Sequence, residues 1–229
     1  MRMIKHPQKI TAYLERLEIS SMLDETIIKS LELCEYERDE IVLNADDPLE
    51  YYYFFLEGKL KVFQQQRNGR NLLIQFYTKF DTLGDVELIE NLNVICVVSA
   101  VEKSYLFRVE ASIMKRFVEN NIPYLKYIIR GLGKKLRYAN ENDAYNLMNP
   151  VKNRLASYIL WHHDSASNEV VLKETLMEIS EFIGTTYRQL HRAFIQLEAS
   201  GIIERKGKGI LILDAEALKN LAGQIYHML

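Results

Sequence analysis

The C-terminal part of the chain decides the fold. Residues 177–213 read MEISEFIGTTYRQLHRAFIQLEASGIIERKGKGILIL. Apolar residues recur here at intervals of three and four, which is the spacing of one face of a helix. The recurrence breaks at Gly184, and glycine is the residue that most often follows a helix end. The stretch therefore predicts two short helices joined by a tight turn and followed by a β-hairpin, which is the pattern of a winged helix-turn-helix.

The second predicted helix has two chemically different faces. Leu190, Phe194 and Leu197 form its apolar face, and Arg188 and Arg192 lie four residues apart on the other side. Such a helix suits the DNA major groove, where Arg pairs in bidentate fashion with guanine and Gln with adenine. Tyr187 falls toward the apolar face and is expected to be partly buried. We predict DNA contacts from Thr185, Thr186, Tyr187, Arg188, Gln189 and Arg192.

A basic hairpin follows this helix. Gly201 ends the helix, and Gly207-Lys208-Gly209 forms a turn between two short apolar strands. Cationic side chains at such a turn bind DNA phosphates without regard to base sequence. The predicted phosphate contacts are Arg205, Lys206 and Lys208.

Composition limits the remaining possibilities. The 229 residues are 48% hydrophobic and carry a formal net charge of −2, so any affinity for DNA must come from a local basic patch. The two cysteines, Cys34 and Cys96, are too few for a disulfide framework or a zinc finger. The first residues lack the apolar core of a signal peptide, and the densest apolar run, Tyr51–Leu56, is too short to span a membrane. We expect a soluble cytoplasmic protein without metal or cofactor.

The front half of the chain is rich in β-forming residues. The turn signals Glu57-Gly58-Lys59 and Asn68-Gly69-Arg70 separate short apolar runs, because glycine accepts the positive φ of hairpin turns. Closely spaced strands of this kind predict an antiparallel sandwich or barrel. Residues 11–33 are expected to be helical. The predicted strands are 41–43, 51–56, 60–63, 72–77, 95–101 and 105–109.

A long helix connects the two halves. Its apolar residues step by four, three, four and three, which is the a/d seam of a coiled coil, and Asn149-Pro150 ends it. The seam predicts a homodimer, whose two recognition helices would read an inverted repeat. The same face could instead dock on the β-rich half. The predicted dimer-interface residues are Leu125, Ile129, Leu132, Leu136 and Ala139.

Together these features predict an α+β fold. Residues 1–120 form an N-terminal antiparallel β-roll with preceding helices, residues 121–149 the dimerisation helix, and residues 150–229 the winged helix-turn-helix. This order resembles the CRP/FNR family of bacterial transcription regulators, and within it the YeiL-like branch. The resemblance rests on YYYFFLEGKLKVF (51–63), LGDVELI (83–89), NPVKNRLA (149–156) and TYRQL (186–190).

The resemblance has functional consequences. It implies a cyclic-nucleotide-binding-like jelly roll that acts as effector domain, a homodimer on an inverted-repeat operator in double-stranded DNA, and RNA polymerase as a further partner. An oxygen-sensing iron–sulfur cluster is not implied, because this family's cluster needs several cysteines near the N-terminus and none precedes Cys34.

The effector pocket departs from the family pattern. Cyclic-nucleotide binders carry Gly-Glu-x-(Gly/Ala) and, some residues later, Arg-Ser or Arg-Thr, in which Arg pairs with the phosphate. Here Gly84-Asp85 matches the start, Glu87 replaces the small residue, and Ile95-Cys96 replace the Arg-Ser pair. An unpaired buried phosphate is costly, so we expect no cyclic nucleotide but an unknown small molecule, or a pocket filled by side chains. Cys96 is read as a buried thiol, with a thiol switch as the alternative. A cyclic-nucleotide response through a divergent cassette also remains open.

The placement of the histidines argues against an enzyme of the cupin class. A cupin enzyme would need histidines on the roll to bind its metal, but all five histidines lie outside residues 36–109. No nucleophile turn or phosphate loop occurs, so no catalytic residue is predicted. A winged helix that binds another protein is the alternative that remains.

Overall fold

The computed structural model describes residues 1–4, 6–16, 21–65, 71–163, 168–172, 174–207 and 209–222. Those up to Arg137 form one compact unit, and those from Tyr138 onward form a second, which also takes in Asn71–Leu73. The boundary therefore falls inside the long helix, and the three-segment division predicted from the sequence stays a prediction.

The first unit contains nine strands and four helices of the described chain, and it shares a fifth helix with the second unit. In chain order they are β1 (Arg2–Ile4), α1 (Pro7–Arg16), α2 (Glu25–Ser30), β2 (Glu32–Tyr36), β3 (Ile41–Leu43), β4 (Tyr51–Glu57), β5 (Leu60–Gln65), β6 (Asn71–Tyr77), β7 (Asp81–Leu83), α3 (Asp85–Glu90), β8 (Val97–Ala100), β9 (Ser104–Glu110), α4 (Ala111–Asn120) and the shared α5 (Ile122–Met148).

The strands form two antiparallel sheets. One has the order β1-β2-β9-β4-β7 and the other the order β3-β8-β5-β6. Tyr53 and Phe55 of β4 pack into a core built from residues of both sheets. Tyr52 and Phe54, which alternate with them, pack into a second core with residues of the helices. Because β4 is buried on both faces, its sequence is a continuous apolar run. The predicted antiparallel β-roll is confirmed.

A glycine turn joins β4 to β5 as predicted. Gly58 has φ +107°, and a Cβ atom there would lie 2.4 Å from Ser104 Oγ and 2.6 Å from the Lys103 carbonyl oxygen. Only glycine fits both the conformation and the space. The second predicted turn, Asn68–Arg70, lies outside the described residues.

Several short elements differ from the prediction. The region predicted as helical, 11–33, contains α2 but runs into strand β2 at Glu32, and Ile95 lies outside β8. Helix α3 was not predicted. It has six residues and begins after Gly84 in the left-handed conformation, so it is too short to show a helical period.

The second unit is the predicted winged helix-turn-helix. Its elements are α6 (Val151–Trp161), β10 (Glu169–Val171), α7 (Leu176–Phe182), α8 (Tyr187–Ala199), β11 (Ile203–Lys206), β12 (Gly209–Ile212) and α9 (Ala215–Ala222). The strands form a sheet of order β10-β12-β11. The end of α5 is fixed within this unit, because the Tyr145 hydroxyl donates to the Ala222 carbonyl oxygen at 2.6 Å.

Candidate nucleic-acid interface and sensor cavity

The two helices of the helix-turn-helix are both capped by threonine. Thr175 begins α7, and its hydroxyl accepts from the Glu178 backbone N–H while the Glu178 side chain reaches back. Thr186 and Gln189 form the same capping box at the start of α8. Between the helices Gly184 has φ +64°. These local signals fix where α8 begins and therefore which residues occupy its first turns.

Arg154 stabilises the turn between α7 and α8. Its guanidinium donates to the carbonyl oxygens of Ile183 and Gly184, at the C-terminal end of α7, where backbone acceptors have no helical partner. The spacing of residues in the sequence does not predict this role. Arg154 belongs to the NPVKNRLA segment on which the family resemblance rests, but that resemblance does not show that its side chain binds the turn.

Helix α8 separates its two faces as its sequence predicts. Leu190, Phe194 and Leu197 are fully buried. Arg188 and Arg192 are exposed on the opposite side. Since all of these positions belong to one rigid helix, the apolar face holds the two guanidinium groups toward solvent.

Two further rings lie on the exposed side of α8. Tyr187, which we expected to be partly buried, is 46% exposed. Its ring stacks on that of His191 with centroids 6.4 Å apart and an interplanar angle of 22°. His191 was missed by the sequence analysis, although its spacing of four from Tyr187 places it on the same face.

Some of the polar side chains at the start of α8 that we predict to contact DNA make hydrogen bonds to one another. Gln189 Oε1 accepts from the Thr185 hydroxyl at 2.8 Å and from the Thr186 hydroxyl at 3.3 Å. The amide oxygen therefore faces the helix start, and the Gln189 Nε2 donors are what this side chain can offer a base.

The hairpin residues differ in what they can offer DNA. Arg205 makes a fork-shaped pair with Glu198, through Nε at 3.1 Å and Nη2 at 2.7 Å, and lies 5.0 Å above the Phe194 ring. Arg205 therefore links β11 to α8, and its predicted phosphate contact stays a prediction. Lys206 is exposed and 3.3 Å from Glu204. Lys208, the third predicted contact, lies outside the described residues.

The cassette residues of the first unit come together around one cavity. Its volume is about 290 Å³, and all five predicted pocket residues line it. Those residues are Gly84, Asp85, Glu87, Ile95 and Cys96, and they share the lining with Leu43, Val62, Tyr77, Thr82, Leu83, Val86, Val98, Leu132 and Lys135.

A lysine of α5 occupies the acidic end of this cavity. Lys135 Nζ lies 2.8 Å from Asp85 Oδ2, 2.8 Å from the Thr82 carbonyl oxygen and 3.2 Å from Asp81 Oδ1. Asp85 also accepts from the Tyr52 hydroxyl at 2.5 Å and from the Thr82 hydroxyl at 2.8 Å. Burial lowers the pKa of Lys135, but the Asp85 carboxylate, followed by Tyr77 and Asp81, more than offsets it, so the pKa is raised and the lysine stays charged.

No pattern in the sequence indicates that Lys135 belongs to the pocket. It lies within the predicted dimerisation helix, one residue before the seam position Leu136 and more than forty positions from Gly84 in the chain. Its contact with Asp85 is tertiary, so no local period could show it.

The residues that replace the Arg-Ser pair, Ile95 and Cys96, line the cavity and are partly exposed. Glu87 Oε1 accepts from the Ile95 backbone N–H at 3.1 Å. Burial, and then the Glu87 carboxylate, raise the pKa of the half-buried Cys96 thiol. A raised pKa keeps this sulfur protonated and makes it a poor nucleophile.

The predicted seam on α5 divides into two sets. Leu125 and Leu132 pack against the core of the first unit. Ile129 and Leu136 are 59% and 63% exposed, and Ile122, seven residues before Ile129, is 66% exposed. Docking on the β-roll therefore accounts for Leu125 and Leu132, whereas an exposed aliphatic stripe remains at every seventh position. Ala139 is half-buried within the second unit.

The described ranges contain no group of three or more His, Cys, Asp and Glu side chains placed to hold a metal ion. None of the helices in these ranges is both long and apolar enough to cross a membrane.

Comparisons with known proteins agree with this architecture. Residues 33–121 match the model of the cyclic nucleotide-binding domain, and residues 153–221 match that of the Crp-like helix-turn-helix domain. The chain is 26% identical to the regulatory protein YeiL of Escherichia coli O157:H7 over 190 residues, which cover 81% of this chain and 82% of that protein. It is 20% identical to the CRP-like cAMP-activated global transcriptional regulator of Mycobacterium tuberculosis, covering 86% of this chain and 90% of that one.

Solved structures share the fold. A transcriptional regulator of the Crp/Fnr family from Eubacterium rectale superposes with a TM-score of 0.79 at 16% identity, covering 90% of this chain and 98% of that chain. FixK2 from Bradyrhizobium japonicum superposes with a TM-score of 0.68 at 20% identity, covering 82% and 96%.

Proposed function

The chain belongs to the CRP/FNR family of transcription regulators and is a DNA-binding regulator, and from this premise we propose that it acts as a homodimer on an inverted-repeat operator. The observation that carries the proposal is the exposed Arg188/Arg192 pair on a helix whose opposite face is fully buried. Two such helices, one from each protomer, would enter successive major grooves.

The homodimer is supported by the stripe of Ile122, Ile129 and Leu136. Large aliphatic side chains that are about 60% exposed at heptad spacing on one helix are typical of a coiled-coil surface without its partner. A cytoplasmic location and contact with RNA polymerase follow from the role as a transcription regulator and belong to the same proposal.

We also propose that the effector domain does not bind cyclic nucleotide. Among the described residues that line the cavity, Lys135 is the only cation, and its three N–H donors already face Asp85, Thr82 and Asp81. A cyclic phosphate would meet the Glu87 carboxylate where the family's pattern places a small residue. Calorimetry with cyclic AMP tests this point, and micromolar binding would show that the cassette is functional.

The DNA-binding proposal is tested with operators selected from a genomic fragment pool. Arg188→Ala and Arg192→Ala should each weaken operator binding by about 1–3 kcal/mol, and binding should fall steeply with added salt as counterions are released. Lys219→Ala, which removes an exposed positive charge from α9 of the same unit, is the matched control. Unchanged affinity in both arginine variants, with intact folding, would refute the assignment of α8 and favour a winged helix that binds protein.

A further inference from the structure

The cavity of the first unit is large enough to bind a small molecule. Its volume of about 290 Å³ lies near the lower end of ligand pockets. At ~30 Å³ for each water in the liquid, it has room for roughly ten non-hydrogen atoms. Purely apolar cavities of about half this size already bind benzene.

Most of the cavity wall is apolar. Strands β3, β5 and β8 contribute Leu43, Val62 and Val98, and α5 contributes Leu132. The Tyr77 ring adds an aromatic surface, and burial raises the pKa of its phenol, so it remains uncharged. These walls favour a molecule with a large apolar surface, because water in contact with them has few hydrogen-bond partners.

The charges of the wall disfavour an anion. The described lining residues carry two carboxylates, Asp85 and Glu87, against the single ammonium of Lys135. Each N–H of Lys135 has an oxygen within 3.2 Å, so an anionic ligand could bind it only by displacing Asp85, Asp81 or the Thr82 carbonyl. Displacing Asp85, which is 4% exposed, would leave a buried carboxylate without its cation.

We propose that this cavity is the effector site and that it takes a compact, largely apolar molecule without negative charge. This inference rests on the proposed role as an effector-controlled regulator and specifies its ligand class. The ligand contacts Leu132 and lies beside Lys135, and the Lys135–Asp85 pair stays intact when it binds.

Two probes of near-equal size test the charge requirement on the full-length protein. Uncharged 2-phenylethanol should bind, as measured by ligand-observed NMR and calorimetry, and anionic phenylacetate should bind at least about tenfold more weakly, because it is repelled by the excess carboxylate. Glu87→Gln should reduce this difference, because it removes one carboxylate and keeps an acceptor for the Ile95 N–H. Glu90→Gln, on the same helix but outside the lining, should leave the difference unchanged.

The position of the site is tested on α3 as well. Val86 and Ile89 are 38% and 41% exposed, and only Val86 lines the cavity. Val86→Phe should weaken 2-phenylethanol binding by about tenfold or more, since the added ring occupies ligand volume, and Ile89→Phe should have no effect. Because both side chains are exposed, neither change should prevent folding.

The inference is overturned if phenylacetate or cyclic AMP binds as tightly as 2-phenylethanol, if 2-phenylethanol does not bind, or if the two phenylalanine variants behave alike. Operator binding measured on the same preparation separates the two proposals. A protein that binds its operator but fails these tests contradicts only the ligand class, whereas loss of operator binding in unmodified protein contradicts the proposed function.

Discussion

Replacing Lys135 by Met tests the buried ion pair of the first unit. The substitution keeps most of the aliphatic side chain and removes the ammonium that faces Asp85 and Asp81. Asp85 would retain its hydrogen bonds from Tyr52 and Thr82, but its side chain is 4% exposed and would have no cation. The consequence is a buried, uncompensated carboxylate.

The expected loss of stability follows from this burial. Removing one partner of a buried ion pair costs about 3–5 kcal/mol, and we expect the lower end because Lys135 retains 18% side-chain exposure. Burial raises the pKa of Asp81, and Lys135 opposes that rise. Without the lysine the folded-state pKa of Asp81 rises further. A group whose folded-state pKa is raised contributes its full stability below the unfolded pKa, which is about 3.9 for Asp, and loses it as pH rises. The loss of stability caused by Lys135→Met should therefore be larger at pH 7 than at pH 4.

Hydrogen exchange of β4 and α3 in increasing urea measures the effect where it occurs. The single tryptophan, Trp161, belongs to the second unit, so its fluorescence reports on that unit instead. Lys126→Met is the matched control, because Lys126 is exposed on the same helix. Combining Lys135→Met with Asp85→Asn should recover about 1–3 kcal/mol, since the unpaired charge is removed. A cost for Lys135→Met within about 0.5 kcal/mol of Lys126→Met would refute the reasoning.

Three further predictions concern the dimer, the wing and the thiols. Leu136→Glu should weaken dimerisation at least about tenfold in analytical ultracentrifugation, because it places a charge in the proposed apolar seam; an unchanged dimer would place the interface elsewhere. The hydrogen bond from Arg205 holds the pKa of Glu198 below its usual value. The pair therefore stabilises the β11–β12 hairpin above the unfolded pKa of about 4.3, and this stabilisation is lost as pH falls through the lower folded-state pKa. Glu198→Gln should therefore destabilise the second unit more at pH 7 than at pH 3, as followed by tryptophan fluorescence, and an equal effect at both pH values would argue against it. With a disulfide reagent at pH 8, Cys96 should react more slowly than a free thiol, because its pKa is raised. Cys34, whose burial raises its pKa to about 11, should react only when the protein unfolds. Rapid reaction of Cys96 would favour the thiol switch.

The features that could be predicted from the sequence are those with a local cause. The faces of α8 follow from the spacing of Leu190, Phe194 and Leu197, and its start follows from a threonine cap and a glycine, all within a short stretch. The turn at Gly58 is local in the same sense. These features depend on the backbone preferences and the spacing of nearby residues, so they can be predicted without knowing the rest of the fold.

The features that could not be predicted from the sequence depend on tertiary contacts. The pairing of the Arg205 guanidinium with Glu198, seven residues away on another element, is one of them. The seam residues Leu125 and Ile129 look equivalent by period, but only Leu125 packs on the core of the first unit. Which of two competing partners a side chain takes is decided by packing and cannot be read from spacing.

The cation that pairs with Asp85 comes from α5 and not from the cassette segment, so the first unit keeps its buried acid without the Arg of the family pattern. A buried carboxylate such as that of Asp85 is costly without a cation beside it. Here the partner is Lys135 on α5, which saturates the acid from within the chain. Leu132 and Lys135 line the cavity three residues apart, and Ile129 and Leu136 are exposed on the same helical turns. A molecule in the cavity would therefore contact the turns of α5 that carry the proposed dimer seam, so packing alone would couple the proposed uncharged ligand to the proposed dimer.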